Sequence, residues 1–242
     1  MKKIAISLMF VITVSLAYSQ SKTYFSAGGE IIFSLAAIDH TNAYYPNGNS
    51  EGNIMRFSPF FCLQTNFNYD FSKNFGSYLG LSIRNIGFIY DQYPVPNPEN
   101  PAETKMLKKK FRTYNLGLPI GLKIGLLDKV FVYGGYEIEF PFNYKEKTFD
   151  GDHKDDKFNV WFSDRVEQFQ HGFFAGIQLP YGANLKFKYY LSNFHNMDYT
   201  DNNGSKPYEG LKANVFYFAL SFNPFKNMKD TFSEGKEKKS YY

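Results

Sequence analysis

The sequence predicts an all-β protein: an eight-stranded antiparallel up-and-down transmembrane β-barrel with four long external loops and three short periplasmic turns. Three observations predict it. The chain opens on an export leader. It carries 27 Phe and 20 Tyr at a mildly negative mean hydropathy. Its stretches of period-two alternation are joined by connections that are long and short in turn. A membrane barrel places aromatics on alternate positions and at both interfaces with polar residues between, so many rings and modest hydropathy coexist. A soluble β-sandwich or lipocalin-like cup would bury its rings in an apolar core and has no reason to sort its loops by length.

The leader is read from Lys2 and Lys3, the uncharged apolar run from Ile4 to Ala17, and the small residues Ala17 and Ser19 flanking Tyr18 ahead of Gln20. This is the pattern of a secretory signal peptide, and the run is shorter than the roughly 20 residues a spanning helix needs. Cleavage is expected after Ser19, which divides the chain into a signal peptide (1–19), a barrel domain (20–225) and a polar tail (226–242). No Cys follows the cleavage site to carry a lipid anchor. No later stretch approaches the length of an apolar helix, and lipid admits only helices and closed barrels. The expected location is the outer membrane of a Gram-negative cell. The leader lysines account for part of the net charge, which falls from +4 to +2 without them. No concentrated basic face argues for a nucleic-acid partner, and the single Cys62 rules out an internal disulfide.

The first strand is expected at Tyr24–Ile38, before the polar segment Asp39–Asn53. The second, Ile54–Tyr69, sets Phe57, Phe61, Leu63 and Phe67 against Arg56, Ser58, Cys62, Gln64, Asn66 and Asn68, and turns at Ser72, Lys73 and Asn74. The third, Ser77–Tyr90, changes parity: Leu79, Leu81 and Ile83 share one face, Ile86, Phe88 and Tyr90 the other. That change predicts a β-bulge near Asn85. A Pro- and Lys-rich segment, Asp91–Lys110, follows. The fourth strand, Arg112–Leu126, alternates Leu116, Leu118, Ile120, Leu122 and Ile124 with Asn115, Gly117, Pro119, Gly121 and Lys123, then turns at Leu127, Asp128 and Lys129.

The fifth, Val130–Phe142, opposes Val132, Tyr136 and Ile138 to Tyr133, Glu137 and Glu139, ahead of the charged segment Asn143–Glu167. The sixth, Gln168–Leu179, turns at Pro180, Tyr181 and Gly182. The seventh, Asn184–His195, sets Leu185, Phe187, Tyr189 and Leu191 against Lys186, Lys188 and Tyr190. An Asn- and Gly-rich stretch leads to the eighth, Lys212–Phe225, where Phe216, Phe218, Leu220 and Phe222 face away from Tyr217, Ala219 and Ser221. The second, fourth and sixth connections are short, so they face the periplasm, as barrel turns do.

The polar face carries Glu30, Arg56, Arg84, Lys123, Glu137, Glu139, Lys186 and Lys188. Unpaired charges in a narrow lumen would be costly, so these residues are expected to form a structural network. An eight-stranded barrel is just wide enough inside for side chains to fill. The expected function is structural or surface-interacting, with a plugged lumen and no enzyme activity. Two alternatives stay open. One is a small pore, transport or secretion-accessory component lined by those charges. The other is a lipid A-modifying enzyme using His171 or His195 with Ser163 or Ser192, although no nucleophile motif surrounds them.

No catalytic residue, cofactor or metal site is expected. The Asp150–Asp156 segment gathers carboxylates around His153 but lacks the spacing and final Glu of an EF-hand. Lys105, Lys108, Lys109 and Lys110, with Arg112, form a basic rim suited to lipopolysaccharide phosphates. Tyr24, Tyr69, Phe71, Tyr90, Tyr114, Phe142 and Tyr190 are candidates for the two interfacial girdles. The expected partners are outer-membrane lipids and lipopolysaccharide, and a surface protein met by the external loops.

The stretch Tyr114, Asn115, Leu116, Gly117, Leu118, Pro119, Ile120, Gly121, Leu122, Lys123, the leader ending at Ser19 and Gln20, and the aromatic last strand ending at Phe222 or Phe225 resemble an outer-membrane β-barrel family of Bacteroidota, the porin-family or PorT-like proteins. The design is also similar to small OmpA-type and OmpX-type barrels. The resemblance implies insertion by the barrel-assembly machinery, which reads the last strand. The extra residues after Phe225 depart from that pattern.

Overall fold

The computed structural model describes residues 22–97, 100, 103–151, 153–222 and 225. The expected leader (1–19) and tail (226–242) lie outside the described residues. In chain order the strands are β1 (Lys22–Asn42), β2 (Tyr45–Asn49), β3 (Asn53–Ile54), β4 (Arg56–Ser58), β5 (Leu63–Asp70), β6 (Phe75–Pro96), β7 (Thr104–Leu126), β8 (Val130–Asp150), β9 (His153–Trp161), β10 (Gln170–Gln178), β11 (Ala183–Tyr190) and β12 (Leu211–Phe222). Eight of them, β1, β5, β6, β7, β8, β10, β11 and β12, pair antiparallel with their chain neighbours. The ring closes where β1 meets β12, with Glu30 opposite Ser221. The protein is an up-and-down antiparallel β-barrel, and no sheet edge is left open around its girth.

Alternation decides what each face carries, because successive strand residues point to opposite sides. Leu116, Leu118, Ile120, Leu122 and Ile124 of β7 stand on the outer surface, about half exposed. Asn115, Gly117, Pro119, Gly121 and Lys123 between them face the lumen. Phe25, Leu79, Leu81, Val132, Ile138, Phe173, Leu185, Phe218 and Leu220 extend the apolar belt to the other strands. The turns at 72–74 and 127–129 and the 3-10 turn Pro180–Gly182 are short, as expected. In the last of these Tyr181 and Gly182 both take positive φ (63° and 85°), which Gly adopts freely and Tyr does not.

The upper ends of several strands run well beyond their expected limits, whereas the seventh, expected to reach His195, ends as a strand at Tyr190. β6 continues to Pro96, β7 begins at Thr104, β8 reaches Asp150, and β9 folds back on β8 as a hairpin through the segment expected to be a charged loop. The second strand is broken: β4 and β5 are separated by Pro59, which has no N–H for the ladder, and by Phe61 at φ 60°.

The bulge expected near Asn85 is absent. Residues Ser82 through Tyr90 pair with Gly117 through Lys109 in unbroken register. Ser82, Arg84, Ile86, Phe88 and Tyr90 all face inward. The apolar residues change parity because the environment changes: below this level the inside is polar and the outside apolar, above it the inside is apolar and the outside polar. Register shifts lie instead higher in β6, between Tyr90 (opposite Lys109) and Tyr93 (opposite Leu107), and in β8, where Phe142 is the extra residue between Pro141 (opposite Asn115) and Asn143 (opposite Tyr114). The shift in β8 brings Tyr144, Glu146 and Thr148 inward and leaves Lys145 and Lys147 outside.

Candidate functional site

The inward side chains lie in three layers. Nearest the short turns, the buried ring of Phe225 meets Tyr133 (4.7 Å), Tyr78 (5.1 Å) and Phe131 (5.5 Å). Beside it Lys123 donates to Asp70 (2.5 Å), Asn68 (3.0 Å) and Tyr24 (3.1 Å).

The middle layer is a compact charge cluster. Arg84 is its centre: Nε meets Glu30 at 3.1 Å, and Nη1 contacts both Glu137 and Glu139, the latter at 3.3 Å. Nη1 also donates to Ser82 Oγ (2.6 Å), and Nη2 donates to Gln64 Oε1 (2.5 Å). Lys188 bridges Glu137 and Glu139 at 2.7 Å each, and Lys186 pairs with Glu30. Three carboxylates meet three cations, so the layer is neutral as a whole. Asn115 (2.7 Å) and Tyr190 (2.8 Å) satisfy the remaining oxygen of Glu139. Gly117 makes the room: a Cβ there would lie 2.4 Å from Ser82 Oγ and 2.6 Å from Glu137 Oε1.

Six of the eight residues read from the sequence as a lumen network, Glu30, Arg84, Glu137, Glu139, Lys186 and Lys188, are thus brought together. Lys123 is held in the layer below. Arg56 stands apart, donating to the backbone O (3.1 Å) and side-chain Oδ1 (2.5 Å) of Asn85, near the break between β4 and β5.

The top layer is an aromatic cap that the sequence reading missed. Phe88, Phe111, Phe194, His195 and Tyr208 are buried against one another, with His195 stacked on Tyr208 at 4.3 Å and 7°. Tyr144 and Tyr208 both donate to Glu146 Oε2 at 2.8 Å, and Lys109 meets Oε1 at 2.5 Å. Burial, reinforced by Glu146, pushes the hydroxyls of Tyr144 and Tyr208 well above the usual phenol range. Burial, reinforced by Lys109, holds the His195 imidazole well below its ordinary value. His40, against Tyr90 (3.2 Å) and Asn42 (2.9 Å), is pushed down by burial to about 4, although Asp39 pulls the other way. The inward run of Ile86, Phe88 and Tyr90 was the one signal for this cap.

Tyr90 and Tyr190 belong to the interior and not to a girdle, and Tyr24 bonds Lys123 inside. The outer aromatic contacts come from the expected Phe71, Tyr114 and Phe142, joined by Phe75 and Trp161. Tyr114 stacks on Phe142 (6.2 Å), Phe142 on Trp161 (6.0 Å), and Phe71 on Phe75 (5.3 Å). The His–Ser pairings do not form as a nucleophile and base: His195 meets Tyr144, and His171 Nδ1 meets Tyr136 at 2.7 Å. Ser192 Oγ accepts from the His171 backbone, and Ser163 Oγ from that of Arg165. Asp150 pairs with Lys105, and no cluster of metal-ligating residues occurs among the described residues. Of the basic rim, Lys109 turns inward, while Lys108, Lys110 and Arg112 share the opposite parity.

No protein-family model matches the chain, and no curated protein matches it. Solved structures similar to it include Ail, the attachment invasion locus protein of Yersinia pestis, in complex with the heparin analogue sucrose octasulfate. That chain is 10% identical at a TM-score of 0.37, with 82% of this chain and 98% of that chain covered. Ail without that ligand is 11% identical at 0.32 over the same shares. Neisserial surface protein A (NspA) is 9% identical at 0.36, covering 83% of this chain and 98% of its own.

Proposed function

We propose that this chain is an integral outer-membrane β-barrel with a sealed lumen, exported by residues 1–19 and acting as a surface-interaction protein through its external half. The observation that carries the reading is the inversion of polarity along the barrel. Around the charge cluster the outer surface is Leu, Ile, Val and Phe. Moving each such side chain from water to hydrocarbon is worth roughly 1.5–3 kcal/mol, so this belt favours lipid strongly. Above Phe142 the same strands turn Lys145 and Lys147 outward and close on an apolar core, as a water-exposed barrel must. The short turns lie at the other end, as periplasmic turns do.

The sealed lumen is supported by its filling. The Arg84 cluster occupies the middle, Phe225 the lower mouth, and the aromatic cap the upper one. With described side chains occupying the middle and both mouths, the external surface is what the described residues offer a partner. Purified protein in planar bilayers is expected to give no steady conductance, and detergent extracts of the outer-membrane fraction to shift in gel mobility on boiling. Steady channels altered by Glu137→Gln or Lys186→Gln would replace this reading with a pore. Recovery as a soluble protein without a heat shift would remove the membrane barrel altogether.

A further inference from the structure

Three strands carry like charges opposite one another on the outside of the barrel, directly above the aromatic belt. Arg112 of β7 is the register partner of Lys145 of β8. One step higher, Lys110 of β7 faces Lys147 of β8, and Lys147 faces Lys157 of β9. Like charges in directly opposed positions destabilise a sheet. None of the five joins an ion pair among the described residues, whereas the inward Lys109 of the same strand pairs with Glu146. Partial burial and the neighbouring cations Arg112, Lys157 and Lys147 push the Lys145 ammonium below its usual value. Arg112 Nε is buried without a hydrogen-bond partner. Its guanidinium carbon lies over the Tyr114 ring, 4.4 Å from the centroid. Lys110 and Arg112 lie over the rings of Phe149 and Tyr114, but among the described residues no carboxylate pairs with the ladder, which leaves its charge open to an anion.

Position identifies the anion. Tyr114, Phe142 and Trp161, whose rings stack in series, lie immediately below the ladder. Aromatic belts sit at the headgroup level of a bilayer, so the cations meet the phosphate layer. Resting on the membrane reading above, we infer that Lys110, Arg112, Lys145, Lys147 and Lys157 form a binding site for the phosphate groups of an outer-leaflet lipid, its acyl chains lying against the belt. Arg112 supplies a planar fork suited to bidentate phosphate contact, and the lysines supply point charges around it.

The single tryptophan, Trp161, is exposed beside the ladder and reports binding by its fluorescence. Full-length protein in a neutral detergent would be titrated with bisphosphorylated lipid A, with the same lipid stripped of phosphate, and with dextran sulfate as a soluble polyanion. The expected result is saturable quenching by the phosphorylated lipid at least tenfold tighter than by the stripped one, weakening as salt is raised. The triple variant Arg112→Gln, Lys145→Gln, Lys147→Gln should lose that preference. Its heat-shift midpoint should be equal to or above the parent's, because like-charge repulsion is relieved. Preference retained in the variant, or absent from a parent that still shows the heat shift, overturns the site and leaves the barrel standing. Dextran sulfate binding as tightly as the lipid and displacing it makes the ligand a soluble polyanion instead. A parent that shows no heat shift defeats the membrane reading first.

Discussion

Arg84 shows how one residue can hold a lumen together. Its side chain is fully buried and spends its donors on Glu30, Glu137, Glu139, Gln64 and Ser82. Arg84→Leu would leave three buried carboxylates facing two lysines, and breaking such a network costs about 3–5 kcal/mol. Arg56 is an internal control, since it serves only the neutral Asn85. Arg56→Gln should cost about 1 kcal/mol, the scale of ordinary hydrogen bonds. Urea unfolding of both variants in lipid vesicles measures the difference, and equal losses would mean that the cluster does not act as a unit. All of these residues are legible in the sequence as polar members of apolar-alternating strands. Their partners are not, because Arg84 meets Glu137 only after the sheet has closed.

At the scale of the element, β8 carries the device that joins the two halves. A one-residue shift flips every later side chain to the other face, and the extra Phe142 supplies that shift where the barrel leaves its apolar belt. Deleting Phe142 removes the bulge while keeping Pro141 opposite Asn115 and Tyr144 inward, so the external half should stay protease-resistant. Deleting Lys145 should drive Tyr144 or Glu146 out of the cap and open the external half to protease, with the heat shift of the membrane half retained. Equal protection in the two deletions would mean that facing in upper β8 does not govern the cap. The sequence suggested a bulge in the third strand because Ile86, Phe88 and Tyr90 change parity. A switch of parity has two physical causes, a bulge or an inverted surroundings, and one strand alone does not distinguish them.

At the scale of the molecule, the cap and the membrane half should respond differently to acid. His40 and His195 are buried in the cap and held neutral, His40 down to about 4. His40 is faced by Tyr90, Tyr45, Tyr93, Asn42 and the neighbouring Asp39; His195 is faced by Tyr144, Tyr208, Phe111 and, through its charge, Lys109. An opened cap would titrate both near the ordinary value of about 6.5. Between about 6.5 and 4 the opened state therefore binds protons that the closed state refuses, so cap stability falls as pH falls and is level above about pH 7. Hydrogen exchange of the segments around Phe88, Phe111 and Tyr208 should quicken at pH 5 relative to pH 7.5. Slower exchange at pH 5 would contradict the sign.

The sequence by itself determined the barrel class, the strand count, the sorting of short turns to one end and the identity of the inward charges in the middle layer. Each of these follows from a local rule, the two-residue period of a strand and the chemistry of its turns, and local rules are written in consecutive residues. The tertiary structure alone decided that the segments after Tyr90, before Arg112 and after Phe142 continue as strands, and that Phe225 at one end and Tyr208 and His195 at the other are buried. It also decided that Lys110, Lys147 and Lys157 stand in one row. Outside the lipid a strand needs no apolar outer face, so its alternation inverts or fades. Which residues then meet is set by register across strands far apart in the chain.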